Sequence, residues 1–262
     1  MEYIKMTTEF NIYHGSSDFD SDLKNYEDSH FTKFPEMMPW IGGEYNEQEI
    51  KILVVGESYF FKEATFHHNT SNWYSKTFKD NLSDKIGDLS KRSGHRVRHH
   101  ITRSIDNSFK KNKKKTHPMH RNLHDVLLKT EIFKPRNSKN STPFDFIAYI
   151  NYFQRPAESA GASISENKID LQVALETIKN IISIIKPNIV MFASVKAYKA
   201  ARTDKLLSFL DNYGVLYDYS AHPCSQHWNR ACKKYGNIRG NSNGPLRGKK
   251  RFIKAIDVMT LL

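Results

Sequence analysis

The most constraining stretch is Ile50 to Phe61, where Ile52-Leu53-Val54-Val55 runs without a polar break and then stops at Gly56-Glu57-Ser58. A short β-branched run bounded by turn residues is too brief for a buried helix and predicts a central strand covered on both faces. Gly56 lets the chain leave the sheet sharply. The polar and aromatic residues that follow stand just outside the carboxyl end of a strand, where open α/β sheets place their ligands.

Three further strands are predicted, over Phe144–Phe153 ending near Asn151, over Asn188–Ser194, and over Val215–Ser220. Helical patterns lie between them. The strongest runs from Ile169 to Ile185, with Asp170 near its start and Lys186-Pro187 at its end. Others are expected at Tyr74–Leu89, around Leu123–Phe133, at Lys196–Arg202, from Thr203 or Asp204 through Leu210, and at Lys249–Leu261. Near-continuously apolar strands alternating with helices imply an α/β fold, a three-layer α/β/α arrangement around a mostly parallel four-stranded sheet. Residues 1–35 read as an irregular arm with room for one helical turn, and residues 36–262 as a single domain. Phe34–Gly43, rich in proline and glycine, reads as an entry loop, and Gly236–Gly248 as a second loop.

Charge narrows the partners. Forty Lys and Arg against 28 Asp and Glu leave a net charge of +12. Such a surplus suits a polyanion, most often nucleic acid. Residues 90–122 are strongly basic and read as an inserted solvated loop with phosphate contact as a second use. No apolar run approaches the roughly 20 residues of a membrane span. The first residues lack the apolar core of a signal peptide. Two cysteines, Cys224 and Cys232, fit a reducing cytosol and exclude a disulfide scaffold or a four-cysteine cluster. A cytoplasmic monomer without cofactor or metal is expected.

Parallel strands deliver their carboxyl ends to one rim. Glu57, Asn151 and His222, the last in Ser220-Ala221-His222-Pro223-Cys224, each follow a predicted strand. A carboxylate, an amide and an imidazole are therefore expected to meet, though Glu57 and His222 are 165 positions apart.

These motifs resemble the uracil-DNA glycosylase superfamily. The similar features are Lys51–Glu57, Tyr149-Ile150-Asn151, the join Ile185-Lys186-Pro187-Asn188-Ile189-Val190, and the His-Pro pair after the last strand, in order from about residue 36. The resemblance implies hydrolysis of the N-glycosidic bond of a flipped-out uracil or related damaged base in DNA, RNA being left open. Carried over, Glu57 handles the water, Asn151 reads the base edge, and His222 donates to the departing base. Phe60, Phe61, Phe66 or Trp73 would stack on the flipped ring. Ser58 and the loop Ser225, Gln226, Trp228 and Arg230 would contact DNA, with Gln226 or Trp228 as the wedge. The chain departs from the family at Ser58-Tyr59-Phe60, where active branches carry proline nearby, and at Cys224, where serine is usual.

Two alternatives come from other classes. One is a nucleic-acid- or nucleotide-binding protein on this scaffold without turnover. The other is a metal-dependent hydrolase using His117, His120 and His124, with His95, His99 and His100 nearby; Pro118 and the surrounding positive charge count against it.

Overall fold

The computed structural model describes residues 15–59, 70–75, 97–109, 117–133, 141–158 and 162–262. In chain order these hold helices α1 (Asp20–Asn25) and α2 (His30–Lys33), strands β1 (Trp40–Ile41) and β2 (Ile52–Gly56), and helices α3 (Thr70–Ser75), α4 (Val97–Phe109) and α5 (Pro118–Leu127). Strand β3 (Ile147–Asn151), helix α6 (Lys168–Ile185), strand β4 (Ile189–Phe192), helices α7 (Val195–Thr203) and α8 (Leu206–Asn212), strand β5 (Leu216–Tyr219) and helix α9 (Gly248–Met259) follow.

The sheet has five strands in the order β1-β3-β2-β4-β5. Strand β2 lies parallel to β3 and to β4, and β4 parallel to β5, while β1 joins β3 antiparallel. The expected four-stranded sheet thus gains an edge strand inside the stretch read as an entry loop. Two residues are too few to show a period of two, and the flanking Pro39 and Gly42 signal a turn. Burial decides instead: Trp40 pairs with Tyr149, is wholly buried, and its Nε1 donates to the Phe144 carbonyl at 2.7 Å.

Every residue of β2 is buried because successive side chains serve two cores. Ile52 and Val54 pack with Leu123, Val126, Phe252 and Ile256 from α5 and α9. Leu53 and Val55 pack with Ile178, Ile181, Ala197 and Leu206 from α6, α7 and α8. Neither face can be polar, which is why the run carries no alternation.

Helix α6 begins at Asn167, whose side chain accepts from the amides of Ile169 and Asp170, while Asp170 returns a bond to the Asn167 amide. Its expected end at Lys186 is reached with that residue in the left-handed region at φ 47°.

Several expectations change. The basic 90–122 stretch contains helix α4, not only loop: Val97, Ile101 and Ile105 recur every fourth residue and are all buried. Charge on the other positions hid that stripe. Pro118 opens α5 at its first turn, where its missing N–H costs nothing, and His117 caps it. The arm, expected to be irregular with one helical turn, holds two short helices, α1 and α2, whose Leu23 and Phe31 are buried. Arg98 fastens it, forking onto Asp20 at 2.6 and 2.8 Å. The Gly236–Gly248 loop contains a short antiparallel ladder, Asn237–Ile238 with Asn241–Ser242, and its Leu246–Arg247 pairs back onto Ala231–Cys232. Of the helix expected at Tyr74–Leu89, residues 76–89 lie outside the described residues. No described helix is long and apolar enough to cross a membrane.

Candidate active site

Strands β3, β2, β4 and β5 all end at one rim, and each end supplies a polar group. Asn151, last in β3, stands beside Gly56, last in β2. A Cβ at position 56 would lie 2.2 Å from both Asn151 Oδ1 and the Tyr149 hydroxyl, so only glycine leaves room for the pair. In that space Tyr149 donates to Asn151 Oδ1 at 2.8 Å. Asn151 is buried, and no described residue accepts from its Nδ2. The amide is therefore held with its oxygen engaged and its donor available.

Glu57 follows, half-buried. Its Oε2 accepts from Ser194 Oγ at 2.7 Å, and its Oε1 from Ser163 Oγ. Ser194 is fully buried at the end of β4 and caps α7, its oxygen accepting from the amides of Lys196 and Ala197 at 3.1 and 3.2 Å. Its single proton is thus spent on Glu57 and both acceptor positions on the helix. Sequence reasoning missed Ser163, Ser194 and Tyr149. A serine between a strand and a helical pattern is a recognisable cap, but nothing local says which carboxylate it faces.

His222 comes three residues after β5, half-buried at the same rim. Strands β2 and β5 are two strand spacings apart, about 10 Å. Burial pulls the His222 pKa below the ordinary histidine value, and the nearby Glu57 carboxylate pushes it the other way without prevailing. Its Nδ1 accepts from the Cys224 amide at 3.2 Å. With Nδ1 accepting, the neutral ring carries its proton on Nε2 and is a donor there. The next residue is tied down too: Asn122 of α5 donates to the Pro223 carbonyl at 2.8 Å. His117 lies close enough that His222 adds to the lowering of its pKa, after burial and His100.

The structure thus brings Glu57, Asn151 and His222 to one rim. It treats the other predicted residues differently. Trp73 is fully buried, its ring stacked on Phe34 at 5.9 Å and its Nε1 donating to the Gln154 carbonyl, so it offers no face to a base. Trp228 is likewise a core residue, edge-on to Phe252, and does not project as a wedge. In both cases a large apolar ring gains more from burial than from exposure. Gln226 and Arg230 are exposed and bonded to each other at 3.4 Å. Ser58 and Ser225 are half-buried, and the Ser225 hydroxyl is shielded without a partner. Phe60, Phe61 and Phe66 lie outside the described residues. Two large cavities, of about 650 and 870 Å³, lie elsewhere, the first along β5 and the second against α2 and α6; none of the three rim residues lines either.

The histidines do not assemble a metal site among the described residues. His117 precedes the helix, and His120 is buried with Nδ1 against Ser104 Oγ at 3.2 Å. No protein-family model, curated protein or solved structure matches the chain.

Proposed function

We propose that the rim is the active site of a DNA-glycosylase-like hydrolase acting on a flipped-out uracil or a related damaged base. The observation that carries this reading is the bond from the Cys224 amide to His222 Nδ1, which leaves the neutral ring with its proton on Nε2 at the rim that also holds Glu57 and the available Asn151 Nδ2. Cleaving a glycosidic bond draws electrons onto the leaving base and leaves positive charge on the sugar. A donor already protonated at Nε2 stabilises the first without giving its proton away. The Glu57 carboxylate stabilises the second and takes the proton of the attacking water as its oxygen bonds to the anomeric carbon. The Asn151 Nδ2 supports a carbonyl on the base edge. The same reading makes residues 36–262 one domain of three α/β/α layers, acting as a cytoplasmic monomer.

A gel assay for abasic sites in uracil-containing single-stranded and duplex DNA tests it. The wild type is expected to form product, and Glu57→Gln to slow it by about 10²–10⁴, the usual share of a general base. A wild type that makes no abasic sites from either substrate sinks the reading.

A binding protein without turnover is the second reading. It is favoured by the Glu57 clamp, since both carboxylate oxygens already accept a serine hydroxyl and each has less capacity left for a water. DNA binding by wild type and Glu57→Gln alike, with no product from either, selects it.

A further inference from the structure

Basic and acidic residues are segregated along this chain. From Tyr219 to Ile256 there are nine Lys and Arg and no Asp or Glu. Residues 90–122 hold eleven against Asp106 alone, and the remainder of the chain is net acidic, with 27 carboxylates against 20 basic side chains. The surplus therefore sits in two stretches, and the last residue of the first, Asn122, bonds the Pro223 carbonyl next to His222 in the second.

The acid-free stretch is built onto that rim. Gly248, first in α9, lies so close to Ala221 that a Cβ there would come within 2.5 Å of the Ala221 Cβ. The ladder Ala231–Cys232 with Leu246–Arg247 sets Arg247 opposite Ala231, between Arg230 and Lys233. Arg230, Lys233, Lys234, Arg247 and Lys250 are all exposed. Within the stretch Arg251 alone pairs with a carboxylate, Asp218, among the described residues. The other bonds are to neutral oxygens, such as Lys249 to Asn229 at 2.9 Å and Arg230 to Gln226, and leave the charge uncompensated. Apolar residues of the stretch, Trp228, Tyr235, Ile238 and Leu246, are buried. A surface that docks on lipid needs exposed apolar side chains beside its cations. This one offers cations and amides, the groups that contact phosphate oxygens.

We propose that the surface carried by Arg230, Lys233, Arg247 and Lys250 grips the phosphate backbone of a nucleic acid strand and leads it to the His222 rim. The last clause rests on the function proposed above; the grip itself does not.

Fluorescence anisotropy with undamaged single-stranded and duplex oligonucleotides and the full chain tests this, across about 50–200 mM salt, where counterion release is steep. Changing Arg230, Lys233, Arg247 and Lys250 to Gln together is expected to weaken binding at least about tenfold and to lower the slope of log affinity against log salt by about 3, near 0.7–0.9 per lost phosphate contact. A control removing equal charge elsewhere, Lys24, Lys129, Lys168 and Lys199 to Gln, is expected to lower the slope by less than about 1. Should the fourfold variant fail to fold, the Lys233→Gln/Lys250→Gln pair is expected to lose about half as much slope. Equal losses from patch and control, an unchanged patch variant, or wild-type binding to anionic phosphatidylserine vesicles in place of oligonucleotides overturns the proposal. Because the oligonucleotides carry no lesion, failure to form abasic sites from uracil DNA counts against the pocket and not against this surface.

Discussion

Gly56 tests the rim with one methyl group. The added Cβ of Gly56→Ala would meet Asn151 Oδ1 and the Tyr149 hydroxyl at 2.2 Å, and neither belongs to a flexible chain end, since each is bonded to the other. Overpacking of this kind costs about 1–3 kcal/mol. The expected result is a urea midpoint lowered accordingly, with abasic-site formation lost beyond what stability explains; an unchanged midpoint would mean that the two side chains can yield. At this scale the sequence showed the chemistry better than the partners. Glu57, Asn151 and His222 are legible because each stands at or just beyond the end of a strand run. Ser163 and Ser194 were not, because their bonds to Glu57 span 106 and 137 positions. Trp73 and Trp228 were misread because residue identity does not say which way a ring faces.

At the scale of elements, the buried pair Arg155–Asp170 joins the exit of β3 to the first turn of α6. The guanidinium forks onto the carboxylate at 2.7 and 2.9 Å, both residues being 1% exposed or less, and Asp170 also receives the Tyr74 hydroxyl and the Asn167 amide. Removing the guanidinium strands the Asp170 carboxylate without solvent, whereas without Asp170 the guanidinium keeps Glu158 at 2.8 Å. Arg155→Met is expected to cost about 3–5 kcal/mol, and Arg155→Met/Asp170→Asn to recover part of it, both read from urea unfolding. A single variant within about 1 kcal/mol of wild type would show that water reaches Asp170. The long helix and its caps were readable because an 18-residue period and a capping box are local signals. Strand β1 and helix α4 are not legible locally: the first has two residues, and in the second a surplus of charge masks the three buried side chains four apart that define it.

For the whole molecule, acid is the expected weakness. Burial lowers the pKa of His117, His120 and His222, and of His30 to about 3, with Lys33 adding to the effect there. Below the ordinary value near 6.5 the unfolded chain binds protons at these sites that the folded chain refuses. Stability is therefore complete above that value and falls as pH drops through it, with the His30 contribution falling until about pH 3. His30 and His120 each contribute about 1.4 kcal/mol per pH unit over that window while neutral in the fold, and the solvent-exposed His117 contributes less. Urea unfolding at pH 7.5, 6 and 5 is expected to show a falling midpoint, and His30→Phe a shallower fall, the ring already stacking on Phe34 at 4.5 Å. A His30→Phe slope equal to wild type would place the proton uptake elsewhere.

The amino-acid order by itself determined an α/β chain, the four parallel strand segments, and a polar residue beyond three of them, because period, capping and strand termination are written within a few neighbouring positions. Only the tertiary structure decided that Ser194 clamps Glu57, that Tyr149 turns the Asn151 amide, that Cys224 fixes the His222 proton on Nε2, and that an acid-free stretch flanks the rim. Those are matters of which donor meets which acceptor after the strands align. Side-chain bonding is settled by packing between segments far apart in the chain, where local pattern carries no information.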